Sequence, residues 1–133
     1  MLAKPFQVVA IAALAVLGAQ QPAEANALRA GGASGHPFRL IVEGSWDKNC
    51  APKSFPQISV VQSPAHGSLS MQSDAFTIRR SVSGEARCIG RPGNGQAVYY
   101  TSQPGFHGMD HAALTVTFPD GVTENKDVTI SVR

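Results

Sequence analysis

Residues 97–116 read AVYYTSQPGFHGMDHAALTV, and this stretch passes from one β-rich segment through a proline–glycine pair into a second. Ala97–Thr101 is built of types that favour strands. Gln103-Pro104-Gly105-Phe106 puts proline and glycine at the two central positions of a type II turn. From His111 onward the residues alternate: Ala112, Leu114, Val116 and Phe118 share one face, Ala113, Thr115 and Thr117 the other. A half-buried antiparallel strand requires this period of two with one apolar face. Phe106 is left to cover an end of the core. Gly108 is expected at a backbone angle that other residues resist. Asp110 can accept hydrogen bonds from loop N–H groups and tie a loop to the strand it opens.

The same pattern extends in both directions. Phe38–Val42, Ile58–Val61, Ser68–Met71, Phe76–Ile78 and Val128–Val132 read as further strands, and Arg87–Ile89 as a short one. Pro56 and Pro64 bound the second of these. Pro92-Gly93-Asn94-Gly95 reads as a turn between the Cys88 and Ala97 segments, and Pro119-Asp120-Gly121 as the turn into the last strand. With 9 prolines and 13 glycines the chain is punctuated too often for a long amphipathic helix. About seven short strands without helical interludes predict an all-β, immunoglobulin-like antiparallel β-sandwich of one domain.

The N-terminus shapes the compartment. Lys4, an apolar run from Phe6 to Gly18 and the triplets Ala23-Glu24-Ala25 and Ala25-Asn26-Ala27 form the pattern of a secretory signal peptide, residues 1–27. The run covers about 18 Å as a helix, short of the roughly 30 Å of a bilayer core. The exported chain is expected to lie in the bacterial periplasm or outside the cell and not to be embedded in a membrane. Residues 28–37, rich in glycine and alanine, read as a flexible arm, and 38–133 as the sandwich. In an oxidising compartment Cys50 and Cys88 are most simply one disulfide. The net charge of +2, unchanged when Lys4 and Glu24 are removed, gives no clustered basic face for nucleic acid.

Two segments resemble a known family. SPAHGSLSM, 63–71, is similar to the P-x-H-G stretch of bacterial immunoglobulin-like and cadherin-like modules, and the opening stretch to their Y-T-x-x-P-G-F-x-G-x-D motif. Pro64, Gly67, Tyr100, Pro104, Gly105, Phe106, Gly108 and Asp110 carry the likeness, and it implies an architectural role for them. It also implies contacts with protein or envelope polysaccharide. Ser102 departs from the pattern where proline is common, which predicts a looser corner. Ala112 and Leu114 stand where aromatics are usual, so other groups must fill the core, with Trp46 or the disulfide as candidates. Residues 38–54 have no counterpart in the motif.

His66, His107, Met109 and His111 invite a different reading, a copper-type metal site. Such a site needs three or four converging ligands, and histidines at variable loop positions do not supply that by sequence alone. No D-x-D run gathers oxygens for calcium. No G-x-S-x-G, H-E-x-x-H or P-loop pattern marks an enzyme. The expectation is a non-catalytic binding or structural module without a cofactor, and the alternative is a small metal-binding protein.

Overall fold

The structure, a computed structural model, describes Gly18, residues 25–79 and residues 86–133. The signal-peptide assignment thus lies almost wholly outside the described residues. Among the described residues seven strands form two sheets: β1 (Asn26–Gly32), β2 (Phe38–Glu43), β3 (Gln57–Gln62), β4 (Gly67–Thr77), β5 (Pro92–Ser102), β6 (Gly108–Thr117) and β7 (Thr123–Val132). The larger sheet has the order β1-β7-β6-β3 and the smaller β2-β5-β4. All pairings are antiparallel except β1 with β7, which runs parallel from Asn26 opposite Lys126 to Gly32 opposite Val132. Among the described residues no helix is long and apolar enough to cross a membrane.

The alternation read in the sequence is the alternation of burial. On β6, Ala112, Leu114 and Val116 point between the sheets, as do Val128, Ile130 and Val132 on β7. Ile41, Val98 and Tyr100 meet them from the smaller sheet, with Phe38, Leu40 and Leu69 packed against the cluster. Tyr100 is the largest fully buried side chain, and its ring lies 5.4 Å from that of Phe38. These two rings are the aromatic part of the cluster that holds Ala112 and Leu114; Trp46 and the disulfide lie outside it. Each large core side chain removed from water contributes roughly 1.5–3 kcal/mol.

Four sequence expectations need correction. The glycine- and alanine-rich segment from residue 28 is not a loose arm: through Gly32 it is β1, and Arg133 N–H donates to the Gly32 carbonyl at 2.9 Å. Small side chains suit it because a Cβ at Gly32 would fall 2.2 Å from the Phe38 ring. Ser102 does not loosen its corner; it is buried, and its hydroxyl accepts the Gly35 N–H at 2.9 Å. The Cys88 segment is a single 3-10 turn, Ala86–Cys88, in place of a strand. Pro92–Gly95 is no turn but the first part of β5, paired with Asp74–Thr77. Gly95 is needed there because a Cβ would approach the Glu43 carbonyl oxygen to 2.3 Å, which marks close backbone contact within a sheet.

Candidate binding cleft at the disulfide-bearing end

The motif residues gather at one end of the sandwich. Asp110, inward on β6 and 7% exposed, accepts four hydrogen bonds. Its Oδ1 takes the N–H groups of Ala65 and His111, each at 2.9 Å. Its Oδ2 takes the His66 N–H at 2.9 Å and the Tyr100 hydroxyl at 2.8 Å. One carboxylate thereby joins β6, the loop before β4 and β5 of the opposite sheet. Burial pushes the carboxyl up, but the bonds from His111, Tyr100, His66 and Ala65 together outweigh it and hold it below the ordinary value. Burial first, and then Asp110, drives the Tyr100 hydroxyl well above its usual range. The turn forms as read: Phe106 N–H donates to the Gln103 carbonyl at 3.1 Å, with Gly105 at φ +85° and Gly108 at φ +135°. A Cβ at Gly67 would meet the Thr101 carbonyl oxygen at 2.5 Å. Pro64 is buried in the β3–β4 loop, two residues past the end of β3.

The histidines do not form a centre. His66 stacks on Phe106 with ring centroids 4.2 Å apart. His111 leans the other way, with Nε2 3.7 Å from Oδ1 of Asp127. Met109 is 60% exposed and His107 lies exposed in the loop. Among the described residues no three histidine, cysteine, aspartate or glutamate side chains are placed to hold a metal ion.

The opposite end carries two surface hollows, and it is built in part from the segment that the motif left unmatched. Between β2 and β3 the chain makes a small hairpin, with Trp46 bridged to Pro52 and the Lys53 N–H donating to the Ser45 carbonyl at 2.8 Å. Asp47 shapes its tip: Oδ1 accepts from Asn49 at 2.8 Å and from Ala51 at 3.0 Å. Cys50 sits at φ +64° and is disulfide-bonded to Cys88, which fastens the hairpin to the 3-10 turn beyond β4. Cys88 and Ile78 are buried together beneath this junction.

Trp46 stands at the centre of this end. On one side a cleft is lined by Ser45, Trp46, Lys53, Phe118, Asp120 and Val122. On its other side a second hollow is lined by Arg39, Val42, Glu43, Trp46, Phe76 and Arg79, and Phe118 lines both. The Trp46 and Phe76 rings are tilted at 50° with centroids 6.4 Å apart. The Phe118 wall is held by the β6–β7 turn, where Phe118 N–H donates to Val122 and Gly121 N–H to Phe118, at 2.8 and 2.9 Å. The Trp46 Nε1 atom is buried without an acceptor among the described residues.

Glu43 connects this end to the interior. Lys126 occupies an inward position of β7, fully buried, with Nζ 3.2 Å from Glu43 Oε1 and 2.6 Å from Glu124 Oε2. A lysine thus spans the two sheets with a carboxylate on each. The sequence carried a signal for it: Lys126 breaks the apolar series Val128, Ile130, Val132 at its inward phase. On the outer face, Asp74 accepts from Arg39 at 2.9 Å and from the Tyr99 hydroxyl at 2.6 Å. Those two bonds, Tyr99 first, hold its carboxyl below the ordinary value.

The chain matches no protein-family model and no curated protein. Among solved structures it is similar to the solution structure of amebosin, at 13% identity and a TM-score of 0.40, over 84% of this chain and 100% of that one.

Proposed function

We propose that the chain is an exported, non-catalytic immunoglobulin-like module of the bacterial envelope whose Trp46 cleft binds a sugar unit of an envelope polysaccharide. The strand memberships support the fold assignment. Taken in chain order as A to G, the sheets are B-E-D and G-F-C, as in a seven-stranded immunoglobulin sandwich. The first strand lies beside G in place of B. The conspicuous polar groups at the motif end, Asp110 and Tyr100, are committed to hydrogen bonds that join the two sheets.

The observation that carries the ligand assignment is the half-buried indole of Trp46 between Phe118 and Phe76, with Ser45, Lys53, Asp120 and Arg79 around it. Flat aromatic faces cover the apolar side of a pyranose ring, and flanking polar groups meet its hydroxyls; sites of this kind combine an apolar lining with a few placed polar groups. Loops at one end of a rigid sandwich are where such modules carry binding. Trp46 is the only tryptophan, so its fluorescence reports on the cleft alone. Titration of the oxidised protein with soluble peptidoglycan fragments and with acidic envelope polysaccharide is expected to shift that emission saturably with one of them. A Phe118→Ala variant is expected to weaken the effect about tenfold, the scale of losing one aromatic contact. No saturable change with either fraction overturns the assignment.

A further inference from the structure

We propose, resting on the export reading above, that signal peptidase cuts between Ala25 and Asn26 and that the α-ammonium freed on Asn26 balances the buried Glu43–Lys126–Glu124 cluster. Two small-x-small triplets, Ala23-Glu24-Ala25 and Ala25-Asn26-Ala27, offer two bonds, and the triplets alone do not separate them. The strand does. β1 starts at Asn26, and its parallel register sets Asn26 opposite Lys126, Ala27 opposite Asp127 and Leu28 opposite Val128. A cut after Ala27 deletes the first two of these pairs. It also leaves the new ammonium on Leu28, whose side chain packs against the core, and a charge drawn toward apolar surroundings is costly. A cut after Ala25 keeps all 7 residues of β1, and the new terminus falls on exposed Asn26.

The register also gives the new charge a partner. Two carboxylates share the single ammonium of Lys126, Glu43 at 3.2 Å and Glu124 at 2.6 Å, so the cluster is one positive charge short. Oε2 of Glu124 is buried and, although ion-paired, accepts no well-directed hydrogen bond among the described residues. Buried carboxylate oxygens ordinarily have donors, and an ammonium carries three. Asn26 has the phase of Leu28 and Ala30, which pack against the core, so it stands beside Lys126 on the side that faces the other sheet. Because β1 and β7 run parallel, its amine lies on the Glu124 side of Lys126. Hydrolysis of the Ala25–Asn26 peptide bond consumes one water, leaves a carboxylate on Ala25 of the departing peptide and a protonated amine on Asn26. The cut that releases the chain thereby adds a donor and a positive charge where the cluster lacks them.

The full chain, expressed in a Gram-negative host and recovered from its periplasm, is expected to begin at Asn26 by intact mass and amino-terminal sequencing. A product that begins at Leu28 overturns the proposal and leaves export standing; one that still carries Met1 overturns both. The charge is tested on the same material. An α-amine is less basic than a lysine and can be acetylated selectively near neutral pH, which removes its charge. Acetylation is expected to raise the unfolding equilibrium constant in urea about fivefold, and by less than about twofold in a Glu124→Gln variant. No effect on the parent, or the same effect on both proteins, overturns the pairing with the cluster.

Discussion

At the scale of single residues, Asp110 is the group on which the motif end depends. Removing it leaves two loop N–H groups and a buried hydroxyl without an acceptor, each a desolvation cost of about 1–3 kcal/mol when unmet. Asp110→Ala is expected to destabilise the domain by about 3 kcal/mol in urea unfolding, and Tyr100→Phe by about 2 kcal/mol, since bonds to a charged acceptor are worth about 1.5–3. The pH dependence follows from the lowered carboxyl. An unfolded aspartate titrates near 3.9. A folded value below that means the stabilisation is complete above the unfolded value and is lost as pH falls through the folded one. Unfolding free energy should decline from about pH 5 downward in the wild type and less steeply in Asp110→Asn; parallel slopes would count against this role. The sequence showed that Asp110 holds a loop. It did not show that Tyr100, ten residues away on the opposite sheet, shares the carboxylate, because that pairing exists only once the sheets face each other.

Among the elements, β6 and β7 were legible because one face of each is buried along most of its length, and period two survives wherever burial is one-sided. β1 was not. Its Asn-Ala-Leu-Arg-Ala-Gly-Gly run has the composition of a linker, and only the parallel partner β7 and the nearby Phe38 ring give those small residues a reason. The first part of β5 misled for a related cause: glycines that admit close backbone approach look like glycines that turn a chain. β7 also holds the element-scale prediction. Lys126→Met leaves Glu43 and Glu124 facing an apolar interior, and breaking a buried ion pair costs about 3–5 kcal/mol. Replacing all three by apolar residues of similar volume should restore most of that loss. A Lys126→Met protein as stable as the parent in denaturant titration would show that the triad is solvated.

For the whole molecule, the two ends are built differently. One is closed by Asp110, Tyr100 and the Phe106 turn; the other is widened by the Trp46 hairpin and fixed by Cys50–Cys88. The bridge spans a sequence separation of 38 and should contribute about 4 kcal/mol in the chain-entropy model. The Cys50→Ser, Cys88→Ser double variant is expected to lose about that much stability and to bind less tightly, since the hairpin that carries Trp46 loses its outer anchor. The motif end could be read in the sequence, because turns and alternation are local. The cleft could not, because Trp46, the Phe76–Arg79 stretch and Phe118 come from three separate segments that only the fold brings together.

Backbone amide shift mapping of the oxidised protein during titration with soluble peptidoglycan fragments and acidic envelope polysaccharide tests the cleft most directly. The expected result is saturable shifts concentrated in residues 44–53, 76–79 and 118–122, with the Asp110 end unmoved. Shifts confined to the Asp110 end or the β4 edge, or none with either material, would contradict it.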